Sequence, residues 1–293
     1  MTAPPLGGGI VDTMVALPPR PDDESWKGML APLLKDTESR EGFAHPASYM
    51  YKNLPAARGA ADPVRAVLDA MNNFGVEQAM VGVHAAHDVA LGALRDHPKR
   101  FIGAYEVDPN LGVDGVRALR HAVDELGVRA ATAFPAGTFP QRPLDAAQWY
   151  PLYAACVELA IPIFITVGVP GPRVPFDPQA VERLDRVCYD FPDLVVVMRH
   201  GAEPWADLAV KLMLKWPGLH YSTSAFAPRY YPRAVIDYAN TRGADRILFA
   251  GYFPMGLSYD TIFEQLPGVQ LRDHVWPLFL HENARRLLRL DET

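Results

Sequence analysis

Cysteine is nearly missing from this chain. Only Cys156 and Cys188 occur in 293 residues, far apart and without CxxC spacing. That excludes a disulfide framework and a CxxC metal or redox motif, and it suits buried thiols in a reducing compartment. Long apolar runs are missing too, so no membrane-spanning segment is expected. The opening residues, MTAPPLGGG, have neither the basic start nor the apolar stretch of a signal peptide. The expectation is a cytoplasmic protein. Charge of one sign is never concentrated in a long block, and the net charge is only -6, which argues against a general nucleic-acid binder. A Gly-rich phosphate loop, a GxSxG elbow and an HExxH helix are all absent.

What is present is an ordinary globular composition, 49% hydrophobic and 21% charged, with ample material for a large core. Short apolar runs alternate with longer helix-like segments. The runs fall at Ile10–Ala16, Gln78–Val83, Phe101–Glu106, Val128–Phe134, Ile161–Thr166, Leu194–Arg199, Leu219–Thr223 and Ile247–Gly251. Helical patterns are read at Pro63–Phe74, Val113–Leu126, Ala146–Leu159, Pro178–Phe191, Trp205–Trp216 and Pro232–Thr241. Strands followed by helices predict a parallel sheet, and eight such units fit a closed α/β barrel better than an open sheet. The reading is one (β/α)8 TIM barrel domain spanning residues 1–293.

The stretch from about Pro18 to Asp62 breaks the alternation. It is too long for a simple loop and carries Trp26, Phe43, His45, Tyr49, Tyr51 and Lys52. An insertion after the first strand would stand over the C-terminal mouth of a barrel, where active sites lie. It is read as a lid, with Tyr51 as a substrate-binding candidate, or as a packed insertion without substrate contact.

Six local patterns then follow in order: FGVEQAMV, HPKRFIGAYEVDP, ELGVRAATAFPAG, WYPLYAACVELAIPIFITVG, RGADRILFAGYFP and HENARRLLRL. Over about residues 10–290 their order and spacing resemble the amidohydrolase-related family. That family includes aminocarboxymuconate-semialdehyde decarboxylase-like enzymes, aromatic acid decarboxylases and dicarboxylate lactonases. The resemblance implies a distorted (β/α)8 barrel with a metal held by strand-end side chains.

The implied metal positions are largely altered. The family's opening Asp-x-His-x-His strand reads Asp12-Thr13-Met14-Val15-Ala16, with the three alternate positions expected on one face. Methionine is a poor ligand for zinc or manganese, and alanine has no ligand atom. Thr166 stands where the fifth strand would end in histidine, and Tyr252 where the eighth would carry aspartate. His200 of the sixth strand remains. A hydrolytic zinc site needs about three protein ligands, so no metal and no other cofactor is expected. His84 and His87 are the residues available as recruited ligands, and otherwise they are surface polar groups.

His200 is the leading candidate for acid–base chemistry, because a strand-end histidine titrates near neutrality. Asp12 is placed as its support, with Tyr252 and Thr166 as donors to a carbonyl oxygen. Ser222 and Ser224 are weaker hydroxyl candidates. Substrate-binding candidates are His84, Glu203, Arg142, Arg229 and Tyr51, with Tyr230 and Tyr231 beside Arg229. Arg199 ends the sixth strand and is read either as suited to bidentate carboxylate recognition or, since it alternates with His200, as facing outward into the helix layer.

Two functions follow. One is a metal-independent hydrolase, lactonase, decarboxylase or related lyase or cyclase acting on a small organic acid, lactone or cyclic carbonyl compound. The other is a non-catalytic binding or regulatory relative whose site has decayed. A metalloenzyme with relocated ligands is a third option. A homodimer is expected, as symmetric dimers are the commonest oligomers. A small-molecule substrate is the expected partner, not nucleic acid or a membrane.

Overall fold

The computed structural model describes residues 9–18, 30–41, 60–84 and 86–292. The apolar runs form eight parallel strands. These are β1 (Ile10–Val15), β2 (Val76–Val83), β3 (Phe101–Glu106), β4 (Ala130–Ala133), β5 (Ile163–Thr166), β6 (Val196–Arg199), β7 (Leu219–Ser222) and β8 (Ile247–Leu248). They pair in sequence order. The last segment then returns to the first. Thr13 N–H donates to the Phe249 carbonyl at 3.1 Å, Ala16 N–H donates to the Phe253 carbonyl at 2.8 Å, and Val15 bridges Phe253 in parallel. This is the expected (β/α)8 barrel.

The helices follow from local signals. After α1 (Thr37–Glu41) comes α2 (Pro63–Phe74). Asp62 caps α2 by accepting the Arg65 N–H, Pro63 opens it, and Gly75 ends it in the left-handed region. Pro63, Val67 and Met71 recur at four-residue spacing and form its buried face. Next come α3 (Asp88–Asp96), α4 (Gly112–Leu126), α5 (Tyr150–Glu158), α6 (Arg183–Asp190), α7 (Ala206–Lys215), α8 (Arg233–Ala239) and α9 (Tyr259–Gln265). No helix among the described residues is long and apolar enough to cross a membrane.

Two apolar layers result. One lies between strands and helices. The other fills the barrel with Val11, Met80, Ile102, Phe164, Val197 and Leu248, against which Ala284 and Leu288 of the last helical turn pack. Burying these side chains contributes about 1.5–3 kcal/mol for each of the larger ones.

Part of the segment after β1 is tied to the mouth of the barrel. Leu30 and Leu34 are buried. Arg173, in the segment after β5, pairs with Asp36 at 3.0 Å and Glu38 at 2.7 Å. These pairs are exposed enough to contribute little to stability, but they fix where the segment lies. Trp26, Phe43, His45, Tyr49, Tyr51 and Lys52 fall outside the described residues.

Candidate active site

The C-terminal ends of the strands surround a cavity of about 950 Å³. That is ample for a small organic molecule. Leu17 and Leu30 bring the post-β1 segment to its wall. Met80, Phe134 and Phe226 supply apolar surface, and a polar group gathers on the β5, β6 and β8 side.

The centre of that group is Arg199. On β6, Val197 belongs to the barrel interior and Val196 and Met198 to the helix layer. The period of two therefore turns Arg199 inward, and it lines the cavity. This corrects the reading in which it faces outward. The residue is 8% exposed. Nη1 donates to Met14 Sδ at 3.1 Å and Nη2 to Thr166 Oγ1 at 3.4 Å. Nε is buried with no hydrogen-bond partner. Burial pulls its pKa down to about 10, against the charge of Glu106 and the phenol of Tyr252, so it stays cationic at neutral pH.

His200 also lines the cavity, because the alternation stops at Arg199. His200, Gly201 and Ala202 all have positive φ, at 62°, 84° and 54°. The turn is braced on several sides. Ser224 Oγ accepts the His200 backbone N–H at 3.0 Å and lies 3.0 Å from Nδ1 of the same residue. The buried Tyr221 hydroxyl donates to the Gly201 carbonyl at 3.0 Å. The Tyr252 ring meets the imidazole edge-on at 4.9 Å. Burial, and then the Arg199 charge, push the His200 pKa down to about 3. The expected titration near neutrality is thus corrected: the imidazole is neutral across the physiological range.

Strain concentrates here. Of the non-glycine residues with positive φ among those described, His200, Ala225 and Tyr252 line the cavity. Each such backbone costs on the order of 1–3 kcal/mol, and they tend to cluster at functional sites.

The other candidates divide. Thr166, Glu203 and His84 line the cavity. Burial raises the pKa of Glu203. His84 and His87 stack at 5.3 Å. Asp12, Arg142 and Arg229 do not line the cavity. A register irregularity between Asp12 and Val15 breaks the strand's alternation. Met14 therefore reaches the mouth, while Asp12 turns toward α9 and accepts from Gly251 N–H at 2.9 Å, Met14 N–H at 3.0 Å and Tyr259 Oη–H at 3.0 Å. Arg142 donates to Asn110 at 2.9 Å, and Arg229 is exposed over the Tyr230 ring. Glu106 and Thr132 line the cavity and were not chosen from the sequence. Their signal was position alone: each lies near the end of a strand.

These residues do not fit the metal that the resemblance implies. Positions 14, 16, 166 and 252 offer a thioether, no donor, a hydroxyl and a phenol. A guanidinium cation lies against two of them. Among the described residues, no group of three His, Cys, Asp or Glu side chains could hold a metal ion. His84 and His87 come together without a third such ligand among the described residues.

Comparison with known proteins agrees with the architecture. An uncharacterised TIM-barrel protein from Bordetella bronchiseptica superposes with a TM-score of 0.75 at 22% identity, covering 96% of this chain and 99% of its own. The 5-carboxyvanillate decarboxylase of Novosphingobium aromaticivorans, solved with manganese, gives 0.68 at 17% identity and 98% of both chains. The 4-oxalomesaconate hydratase of Rhodopseudomonas palustris gives 0.61 at 19% identity and 96% of both. At these identities the likeness shows the fold. No curated protein matches the sequence. The family model for amidohydrolases of the amidohydrolase 2 group matches residues 17–290, and the chain belongs to that family.

Proposed function

We propose that this protein is a metal-independent enzyme of the amidohydrolase family acting on a small organic acid, lactone or cyclic carbonyl compound. The observation that carries this reading is the cavity itself. It keeps a braced histidine and a cation at the strand ends, while most of the side chains that would hold the family's metal are replaced. A decayed site plugged by apolar side chains would not keep a volume of about 950 Å³ beside strained, polar residues.

His200 moves the proton. Ser224 Oγ has two acceptor sites. Accepting both the backbone N–H and an Nδ1–H of His200 would use both and leave the Nε2 lone pair as a base. A neutral imidazole beside a cation is a weak base at rest. Negative charge arriving with the substrate offsets the Arg199 charge and strengthens it. Tyr252 and Thr166 place hydroxyls near the same guanidinium, where charge on a carbonyl oxygen would be stabilised. Glu203 and His84 bound the substrate from the rim.

The test is a screen of small aromatic acids, lactones and cyclic ketones with chelator-treated protein, using His200→Ala as background. Turnover should fall about 10²–10⁴-fold in the variant, the usual contribution of a general acid or base. Unchanged turnover in His200→Ala would remove the histidine from the mechanism.

A further inference from the structure

We propose that Arg199 has replaced the family's metal as the cationic anchor of the site, and that it receives a carboxylate group of the substrate. The proposal rests on the reading of this cavity as an active site and narrows its substrates to organic monocarboxylates.

A buried charge normally has an opposite charge in contact, because desolvation is otherwise uncompensated. Among the described residues Arg199 has none. Its partners there are a thioether and a hydroxyl at the long limit of a hydrogen bond, and its Nε–H has no partner among them. Among the described residues no carboxylate forms an ion pair with it. A guanidinium presents its donors as a rigid fork that matches a carboxylate with two parallel bonds. Arg199 here lines a cavity, and among the described residues no acid is paired with it.

A second orphan points the same way. Thr132 Oγ1 is buried without a hydrogen-bond partner among the described residues, and Thr132 lines the same cavity. Its strand neighbour Glu106 lines it as well. Glu106 acts on Arg199 through its charge but forms no ion pair with it. Gly82 makes room for the Glu106 carboxylate, since a Cβ there would lie 2.6 Å from Oε1. With Asp108 and Glu203 also on the wall, Arg199 is the one fixed cation among the described lining residues and faces several acids. One carboxylate is welcome at Arg199. A second on the same molecule would be repelled.

A purely structural role explains the arrangement poorly. Methionine or leucine would fill the space beside Met14 without the cost of a buried, half-bonded charge, and such replacements are often neutral or stabilising.

The experiment uses chelator-treated full-length protein with formate, acetate and benzoate as probes, benzamide as the neutral isostere and phthalate as the dianion. Binding is followed by calorimetry and by thermal shift. At least one monocarboxylate should bind and raise the melting temperature, while benzamide and phthalate should bind worse than benzoate. Arg199→Met should weaken that binding about 10- to 100-fold, the loss expected for charged hydrogen bonds, yet melt at or above the wild-type temperature. Arg199→Lys should also bind more weakly, since an ammonium lacks the fork. Equal binding by wild type and Arg199→Met would overturn the proposal, as would no binding of any monocarboxylate. If the chelated protein turns over a neutral substrate while binding no carboxylate, the proposal fails and the metal-independent reading stands. Should binding appear only after manganese is added, both fail.

Discussion

Asp12 and His200 are both held away from their ordinary protonation by burial, with opposite effects on stability. Asp12 is raised from 3.8 to about 6 by desolvation, against the three hydrogen bonds that favour its charge. The folded protein keeps that proton up to about pH 6, whereas the unfolded chain releases it near 4. Between these values the folded state binds more protons, so the contribution of Asp12 to stability declines as pH rises through the window and stays low above it. The size is on the order of 3 kcal/mol, from about 1.4 kcal/mol per pKa unit. His200 runs the other way. The unfolded chain binds a proton below 6.5 and the folded state only below about 3, so its contribution is present above 6.5 and lost as pH falls through the window. Asp12→Asn isolates the first effect, since the amide cannot ionise. Relative to wild type, the variant should gain about 3 kcal/mol between pH 4 and pH 7 in urea unfolding. A difference that does not change with pH would show that Asp12 is not titrating as described.

At the scale of elements, the turn after β6 decides what the cavity contains. Gly201 sits at φ 84°, and a Cβ added there would lie 2.3 Å from the Phe226 ring. Gly201→Ala should therefore cost about 1–3 kcal/mol from backbone strain alone, lowering the melting temperature and displacing His200. A variant as stable as wild type would show that the turn is not held this way. The same turn marks the limit of what the sequence discloses. Strict alternation puts Arg199 and His200 on opposite faces, whereas the left-handed backbone at His200 brings both into the mouth. Likewise the irregularity in β1 separates Asp12 from Met14 without a trace in residue type, and the turn leaves only Gly201 as its mark. The eight strands were legible because apolar runs and turn residues mark them locally. Strands β4, β5 and β6 start later than the runs suggest, because Val128, Ile161 and Leu194 are buried in the core ahead of the paired ladder. Helices α1, α3 and α9 were not read, nor was the helix at Asn283–Leu288, and α3 opens without a side-chain cap. His200, Thr166 and Tyr252 were legible from family spacing. Thr132 was not, because its empty hydrogen bond exists only in three dimensions.

For the whole molecule, the barrel separates stability from chemistry. Its interior is sealed by Phe164, Val197 and their neighbours, while the polar and strained residues gather at the opposite, C-terminal ends of the strands. Such a scaffold can exchange one cation for another at its mouth without rebuilding the core. In a metal-dependent barrel the ion binds only the folded state and stabilises it, by about 2.7 kcal/mol at a hundredfold excess over its dissociation constant. For a chain of this size that would move the melting temperature by several degrees. On the proposal that Arg199 takes the metal's place, the cation is covalently part of β6. The melting curve should therefore be the same, within about one degree, in chelator, in zinc and in manganese. Purified protein should carry well under one equivalent of any of these metals by elemental analysis. A shift of several degrees on adding manganese, with stoichiometric metal in the same sample, would mean that ligands beyond the described residues complete a site. Arg199 would then be a neighbour of the metal and not its substitute.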